Sequence, residues 1–305
     1  MHDRFYNEAT LTLRLRPRTP LLIKSGRSGE EALDPTLPEM SFVRTSRPDR
    51  PEPEIFIPGA SLRGVLRSHA EKLLRSASSE RICDPTQTKR GAPNAACFAQ
   101  ESNTGEEISG ARAYRESCYA CRVFGNTVLA GRARVGDLYP VETRPLLERR
   151  NGVAIDRVTG AVAQGPFELE ILTDGWLEGR LTLRNYTLGQ LGLLAGTLLD
   201  LGDGLLPIGY GKSRGLGRVE LRFREVAFRT LRHPEGALVG VGALAGPDER
   251  ARYGIRADGD ALPIGAQVTR ERGFQTIRAA GEQADALARG WLELVAGRWV
   301  DEVAS

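Results

Sequence analysis

The stretch GYGKSRGLG, Gly209 to Gly217, places a Gly-Lys-Ser triplet inside a run of glycines. If it is a nucleotide-binding P-loop, the fold is built round a strand leading into a helix. If it is not, the fold must be sought elsewhere. A P-loop needs a first glycine, four intervening residues and then Gly-Lys-Ser/Thr. Counting back from Gly211-Lys212-Ser213, that first position is Leu206. The surroundings are reversed as well, because a leucine-dense segment, TLGQLGLLAGTLLDLG (187–202), precedes the loop and an alternating one, RVELRFREVAF, follows it. The loop therefore connects a helix to a strand. Its glycines suit either a tight connection or close backbone approach to a phosphate, with Lys212, Arg214 and Arg218 nearby.

Upstream, TLTLRLR (10–16) alternates as a strand and PLLIK (20–24) continues it. Residues 25–54 read as a long loop ending in the proline-rich SRPDRPEPE. Next comes IFIPGASLRGVLRSHAEKLLRSA, in which a short strand end breaks at Pro58-Gly59 and Ser61 can cap a helix carrying Leu62, Val65, Leu66, Leu73 and Leu74. Strands are expected over 132–142, 166–173 and 177–184, with a basic, glycine-containing segment at 142–166. The run fits an α+β, ferredoxin-like (RRM-like) β-α-β-β-α-β core with insertions over residues 1–229. Residues 230–305 read as a C-terminal appendage ending in one helix from about 279 to 303.

Bulk composition is ordinary for a globular chain, with net charge +3, so charge alone argues weakly for a polyanionic partner. The type of base says more: only Lys24, Lys72, Lys89 and Lys212 among the 42 basic residues are lysines. Arginine presents a planar fork that suits phosphate, although such a bias also follows from genome composition. No apolar run is long enough to span a membrane and the N-terminal stretch lacks a signal-peptide core, so a cytoplasmic protein is expected.

All four cysteines fall within 77–125: Cys83, Cys97, Cys118 and Cys121, spaced C-x13-C-x20-C-x2-C. A CxxC in a chain without secretion features favours a four-thiolate zinc site that staples a polar insertion, with free or redox-active thiols as the alternative.

IPGASLRGVLRS followed much later by GYGKSRGLGRV is a distinctive pairing. Together with CYACRVFGNTVLAGRARVGDLYP and GVAIDRVTGAVAQGPFELE it resembles the RAMP superfamily of CRISPR-associated proteins, and more closely the backbone subunits of type III effector complexes, over roughly residues 10–225. The cysteine set resembles the zinc-binding type III-D and III-E branches. The resemblance implies a guide-RNA groove formed by Lys24, Arg44, Ser61, Arg63, Arg67, Gly209, Gly211, Lys212, Ser213, Arg214 and Gly215. It also implies a thumb-like hairpin over 142–166 carrying Arg149, Arg150 and Arg157, and partners that include target RNA and other effector subunits. Target-cleaving relatives place an aspartate shortly before a Val/Ile-Arg pair; by ungapped spacing to Val43-Arg44 the position that resembles it is Glu39, with Asp34 five residues earlier, and either carboxylate would use Mg²⁺ or Mn²⁺. Two other readings stay open: a stand-alone endoribonuclease that processes precursor guide RNA, and a non-catalytic zinc-stapled structural subunit.

Overall fold

The computed structural model describes residues 3–26, 40–77, 82–89, 92, 94–99, 107–231 and 236–304. In chain order its elements are β1 (Asn7–Pro17), β2 (Arg44–Arg47), β3 (Arg50–Ile55), α1 (Gly59–Ala77), α2 (Gly110–Glu116), α3 (Tyr119–Phe124), β4 (Ala133–Val135), β5 (Tyr139–Ile155), β6 (Val162–Arg184) and α4 (Leu188–Gly202). Then follow β7 (Val219–Thr230), β8 (Ala237–Val239), α5 (Val241–Leu244), α6 (Pro247–Tyr253), β9 (Ala261–Pro263), β10 (Val268–Glu271), β11 (Phe274–Ala280), α7 (Ala284–Ala296) and α8 (Trp299–Ala304).

Seven strands form one antiparallel sheet in the order β10-β11-β7-β1-β6-β4, with β5 also paired to β6. The period-2 pattern of β1 decides its orientation. Ala9, Leu11, Leu13 and Leu15 are buried under the helices, whereas Arg14 and Arg16 lie on the other face and pair with Glu178 and Asp174 of β6. On the helix side, α1 presents Leu62, Leu66, Ala70 and Leu74 at successive i,i+4 positions, and α4 adds Leu191, Leu194, Leu198 and Leu201. The result is a mixed α/β molecule with helices against one face of an antiparallel sheet, consistent with ferredoxin-like folds.

Several expected elements take a different form. PLLIK does not extend β1: the strand stops at Pro17, and Leu21 and Lys24 make isolated bridges to Leu172 and Phe42. The expected loop 25–54 contains the β2–β3 hairpin, and residues 27–39 lie outside the described residues. The strands expected at 166–173 and 177–184 are one strand, β6, which passes through Gly175 at φ 124°. Ser61 does not cap α1 but lies inside its first turn; the Gly59 amide instead donates to Asp137 Oδ1 at 2.7 Å.

The stretch expected as an appendage contributes to the same sheet and core. β11 pairs with β7, and Ala288, Leu292 and Val295 of α7 join the main hydrophobic cluster. The single helix expected over 279–303 is β11's end, α7 and α8. Two of the glycines inside α4 have a reason in this packing. A Cβ at Gly192 would fall on the Val295 carbonyl, and one at Gly189 on the Glu302 carboxylate. That carboxylate accepts from the Gly189 amide and the Thr187 hydroxyl, each at 2.8 Å, and so caps α4.

Candidate RNA-binding groove and cysteine centre

The two glycine motifs, about 150 residues apart in sequence, meet. A groove of about 380 Å³ is lined by Ile23, Lys24, Ile57, Ser61, Leu62, Val65, Ile208, Gly209, Tyr210 and Lys212. No carboxylate is among these residues. The later motif begins after α4 and forms a single 3-10 turn at Lys212–Arg214, flanked by Gly211 at φ 73° and Gly215 at φ 79°. Gly209 (φ 79°) and Gly217 (φ 92°) are also left-handed, and a Cβ would land on the Leu22 carbonyl at the first and the Ile208 carbonyl at the second. Hydrogen bonds from Tyr210 N–H to the Leu22 carbonyl (2.7 Å) and from Gly217 N–H to the Pro20 carbonyl (2.9 Å) fix the loop against the stretch after β1. Lys24, Ser61, Lys212, Ser213 and Arg214 are all exposed. The Lys212 and Ser213 amides donate to no acceptor among the described residues.

Arg63 and Arg67 are placed differently from the groove residues. Together with Glu71 and Arg75 they recur every four residues along α1, a stripe that faces the cysteine insertion. Arg63 donates to the Phe124 carbonyl, Arg67 to the Gly125 carbonyl (2.9 Å) and Glu71 (2.8 Å), and Arg75 to the Cys83 carbonyl (2.9 Å). Arg44 is held as well: its guanidinium bonds Glu170 at 2.8 and 2.6 Å, and Glu170 Oε2 also accepts from the Phe42 amide at 2.9 Å. His69, which stands alone in sequence, pairs with Asp200 of α4 at 2.6 Å.

Burial of Glu170 disfavours its charged form, yet hydrogen bonds from Arg44 and the Phe42 amide hold the carboxyl below its ordinary range. A depressed carboxyl stabilises the fold above its unfolded value, about 4.3, and that contribution is lost as pH falls through the folded value. Glu170→Gln is therefore expected to lower the melting temperature near neutrality and to flatten its fall on acidification. Melting curves across the acid range check this, and parallel wild-type and mutant profiles would count against it.

The loop that carries Asp34 and Glu39 lies outside the described residues, but its stem does not. Lys24 bridges Phe42, Ser25 N–H donates to the Ser41 carbonyl (3.1 Å), and the two serine hydroxyls lie 3.1 Å apart. The described residues on either side of that loop, Ser25 and Ser41, thus meet beside Lys24, on the rim of the groove. From Met40 the chain bonds to Glu168 and Glu170 of β6. Here β5 and β6 run as a hairpin as far as Ile155↔Val162. Arg149 and Arg150 sit on its strand with side chains about half exposed or more, in loose ion pairs with Glu168 (3.9 Å) and Glu148 (3.7 Å), and Arg157 lies in the tip turn beside Val158, which is 93% exposed.

The four cysteines converge. Their sulfurs all lie within 4.8 Å of one another, and Cys83 Sγ is 3.5 Å from both Cys118 and Cys121. They form no disulfide. A tetrahedron with metal–sulfur bonds of about 2.3 Å has edges of roughly 3.8 Å, so the set needs little adjustment to hold such an ion. Cys118 precedes α3 and Cys121 lies within it, which aims both thiols the same way, and the Cys118 amide donates to Cys97 Sγ at 3.3 Å. Hydrogen bonds from Cys121, Cys83 and Cys97 hold the Cys118 thiol far below its ordinary range, and contact with the Cys118 sulfur pushes Cys121 and Cys97 up. A bound cation would favour thiolates on all four.

No helix among the described residues is long and apolar enough to cross a membrane. The model of the RAMP superfamily matches residues 14–220, about two thirds of the chain. No curated protein matches it.

Proposed function

Because the chain belongs to the RAMP superfamily, we propose that it is a guide-RNA-binding backbone subunit of a type III CRISPR effector complex, acting in the cytoplasm with target RNA and neighbouring effector subunits as partners. The observation that carries this reading is the meeting of the two glycine motifs across one groove with Lys24 and Lys212 on its rim and no carboxylate in its lining. The guide's phosphates run along Lys24, the start of α1 at Ser61, and the loop from Gly209 to Gly215, whose amides and cations suit phosphate oxygens. Residues 1–229 supply the ferredoxin-like core, with 77–125 as the metal-stapled insertion and 142–166 as the thumb-like hairpin. Arg149, Arg150 and Arg157 on that hairpin meet the backbone of the guide–target duplex. Arg44, Arg63 and Arg67 support the groove from behind, since their guanidiniums already have protein partners.

The four thiols take Zn²⁺, which suits an all-sulfur tetrahedral site and leaves no position open for substrate. In the assembled complex, Asp34 or Glu39 assists Mg²⁺- or Mn²⁺-dependent cleavage of target RNA; the segment that carries them leaves and rejoins the described chain beside Lys24, which favours this over the purely structural reading. Cleavage is expected to fall at least about 100-fold in Asp34→Ala or Glu39→Ala, the scale on which a misplaced catalytic group is felt. Wild-type cutting by the double variant would move the chemistry to another subunit. The binding reading itself is tested by titrating the chain with single-stranded RNA over a salt series. Affinity that falls steeply with salt supports it, and absent or salt-independent binding overturns it.

A further inference from the structure

A track for phosphates needs cations and amides; it does not need an apolar floor. This groove has one, made by Ile23, Ile57, Leu62 and Ile208, with Val65 at its side. Its polar side chains are the two lysines, the Ser61 hydroxyl and Tyr210. At about 380 Å³ it falls within the range of clefts that take small organic groups, roughly 300–1,000 Å³.

Tyr210 lines the same groove, with two cations near its ring. Lys24 Nζ and the Arg214 guanidinium each lie 6.0 Å from its ring centroid. The half-buried ring is held by its own backbone: Tyr210 N–H bonds the Leu22 carbonyl, and the residues on either side, Gly209 and Gly211, are both left-handed. Two glycines in a conformation that ordinary residues resist thus set the position of one aromatic ring. Phosphate binding by the loop accounts for the glycines, Lys212 and Arg214, and core packing accounts for the aliphatic side chains, but neither accounts for an aromatic ring left half-exposed near two cations.

Resting on the RNA-binding reading above, we propose that Tyr210 is a stacking platform that seats one unpaired nucleobase of single-stranded RNA on the apolar floor, with the adjoining phosphates on Lys24, Lys212 and Arg214. Stacking on a tyrosine accepts any base, because every base has a π face. The floor offers aliphatic side chains and no set of donors and acceptors matched to one base edge, so the slot reads the presence of a base and not its identity. The flanking cations serve twice, as phosphate contacts and as partners of the ring that keep it oriented for stacking.

The test compares the full chain's affinity for a short single-stranded RNA with its affinity for an abasic ribose-phosphate strand of equal length and charge. The wild type is expected to bind the base-bearing strand about 5- to 150-fold tighter, the range for one stacked base. Tyr210→Leu, which keeps an apolar side chain, should weaken only the base-bearing strand and erase the difference; Tyr210→Phe should preserve it. Lys212→Ala should weaken both strands alike. Equal wild-type affinity for the two strands, or an equal loss on both in Tyr210→Leu, overturns the stacking role while leaving a phosphate groove intact. Failure of the wild type to bind either strand overturns the RNA-binding reading and this inference with it.

Discussion

Replacing Cys118 by serine is expected to abolish metal binding at the four-cysteine centre and to lower the melting temperature by about 10 °C. Loss of a structural metal belongs to the small set of changes that cost more than about 4 kcal/mol, and a chain of this size loses a few degrees per kcal/mol. The effect should be large because the centre does more than hold four sulfurs. Its knuckle, α3, receives Arg63 and Arg67 of α1, and Cys83 receives Arg75. Tyr119, beside Cys118, donates to Glu302 at 2.9 Å, and Glu302 in turn caps α4. Melting the insertion therefore loosens the outer face of α1, the start of α4 and the last helix together. Elemental analysis of the purified chain should give one zinc per molecule, lost in the variant. A variant without metal that melts with the wild type would refute the staple.

The second large effect is expected at Gly209→Ala. The position has φ 79°, and a Cβ there would fall on the Leu22 carbonyl, which belongs to backbone and cannot swing away. A left-handed non-glycine residue costs about 1–2 kcal/mol before any clash, so the loop will rearrange sooner than accept the methyl group. Rearrangement moves Tyr210, Lys212 and Arg214 off the groove. Loss of even one hydrogen bond to a charged phosphate, worth about 1.5–3 kcal/mol, weakens RNA by roughly tenfold or more. Gly64→Ala is the matched control: a Cβ at this helical position meets nothing within 4 Å, and RNA affinity should hold. Equal RNA affinity in Gly209→Ala and the wild type would remove the loop from the binding surface.

How much of this was legible in the sequence depended on whether a signal was local. The alternation of β1 and the leucines of α4 are periodic patterns, and both became elements, α4 close to its expected ends and β1 without its expected continuation through PLLIK. The glycines of GYGKSRGLG were legible as a loop, but the groove was not, because its other wall lies about 150 residues upstream and only the pairing of two motifs points to it. The CxxC was visible from spacing; the convergence of Cys83 and Cys97 on it comes from tertiary packing that no spacing encodes. Arg63 and Arg67 were placed in the RNA groove by the resemblance, not by any pattern of their own. Their i,i+4 recurrence through Glu71 and Arg75 was the available sign of a stripe packed against another segment. The thumb-like hairpin over 142–166 came from the resemblance alone; the strands that form it, β5 and β6, are longer than the pieces read from alternation, because Val153, Ile155, Val158 and Val162 are apolar yet exposed and break the inside–outside pattern. Residues 236–304 were undervalued since β11 is short and its burial comes from pairing with β7.

The central claim is that Lys24 and Lys212, brought together by the two glycine motifs, hold the phosphates of an RNA strand. Its most direct test is the salt dependence of RNA affinity for the wild type and for a Lys24→Ala/Lys212→Ala double variant. Each phosphate contact on a single strand adds about 0.7 to the slope of log affinity against log salt, so the variant's line should be shallower by about 1.4 and lie below the wild type's at low salt. Two superimposable lines would contradict the account.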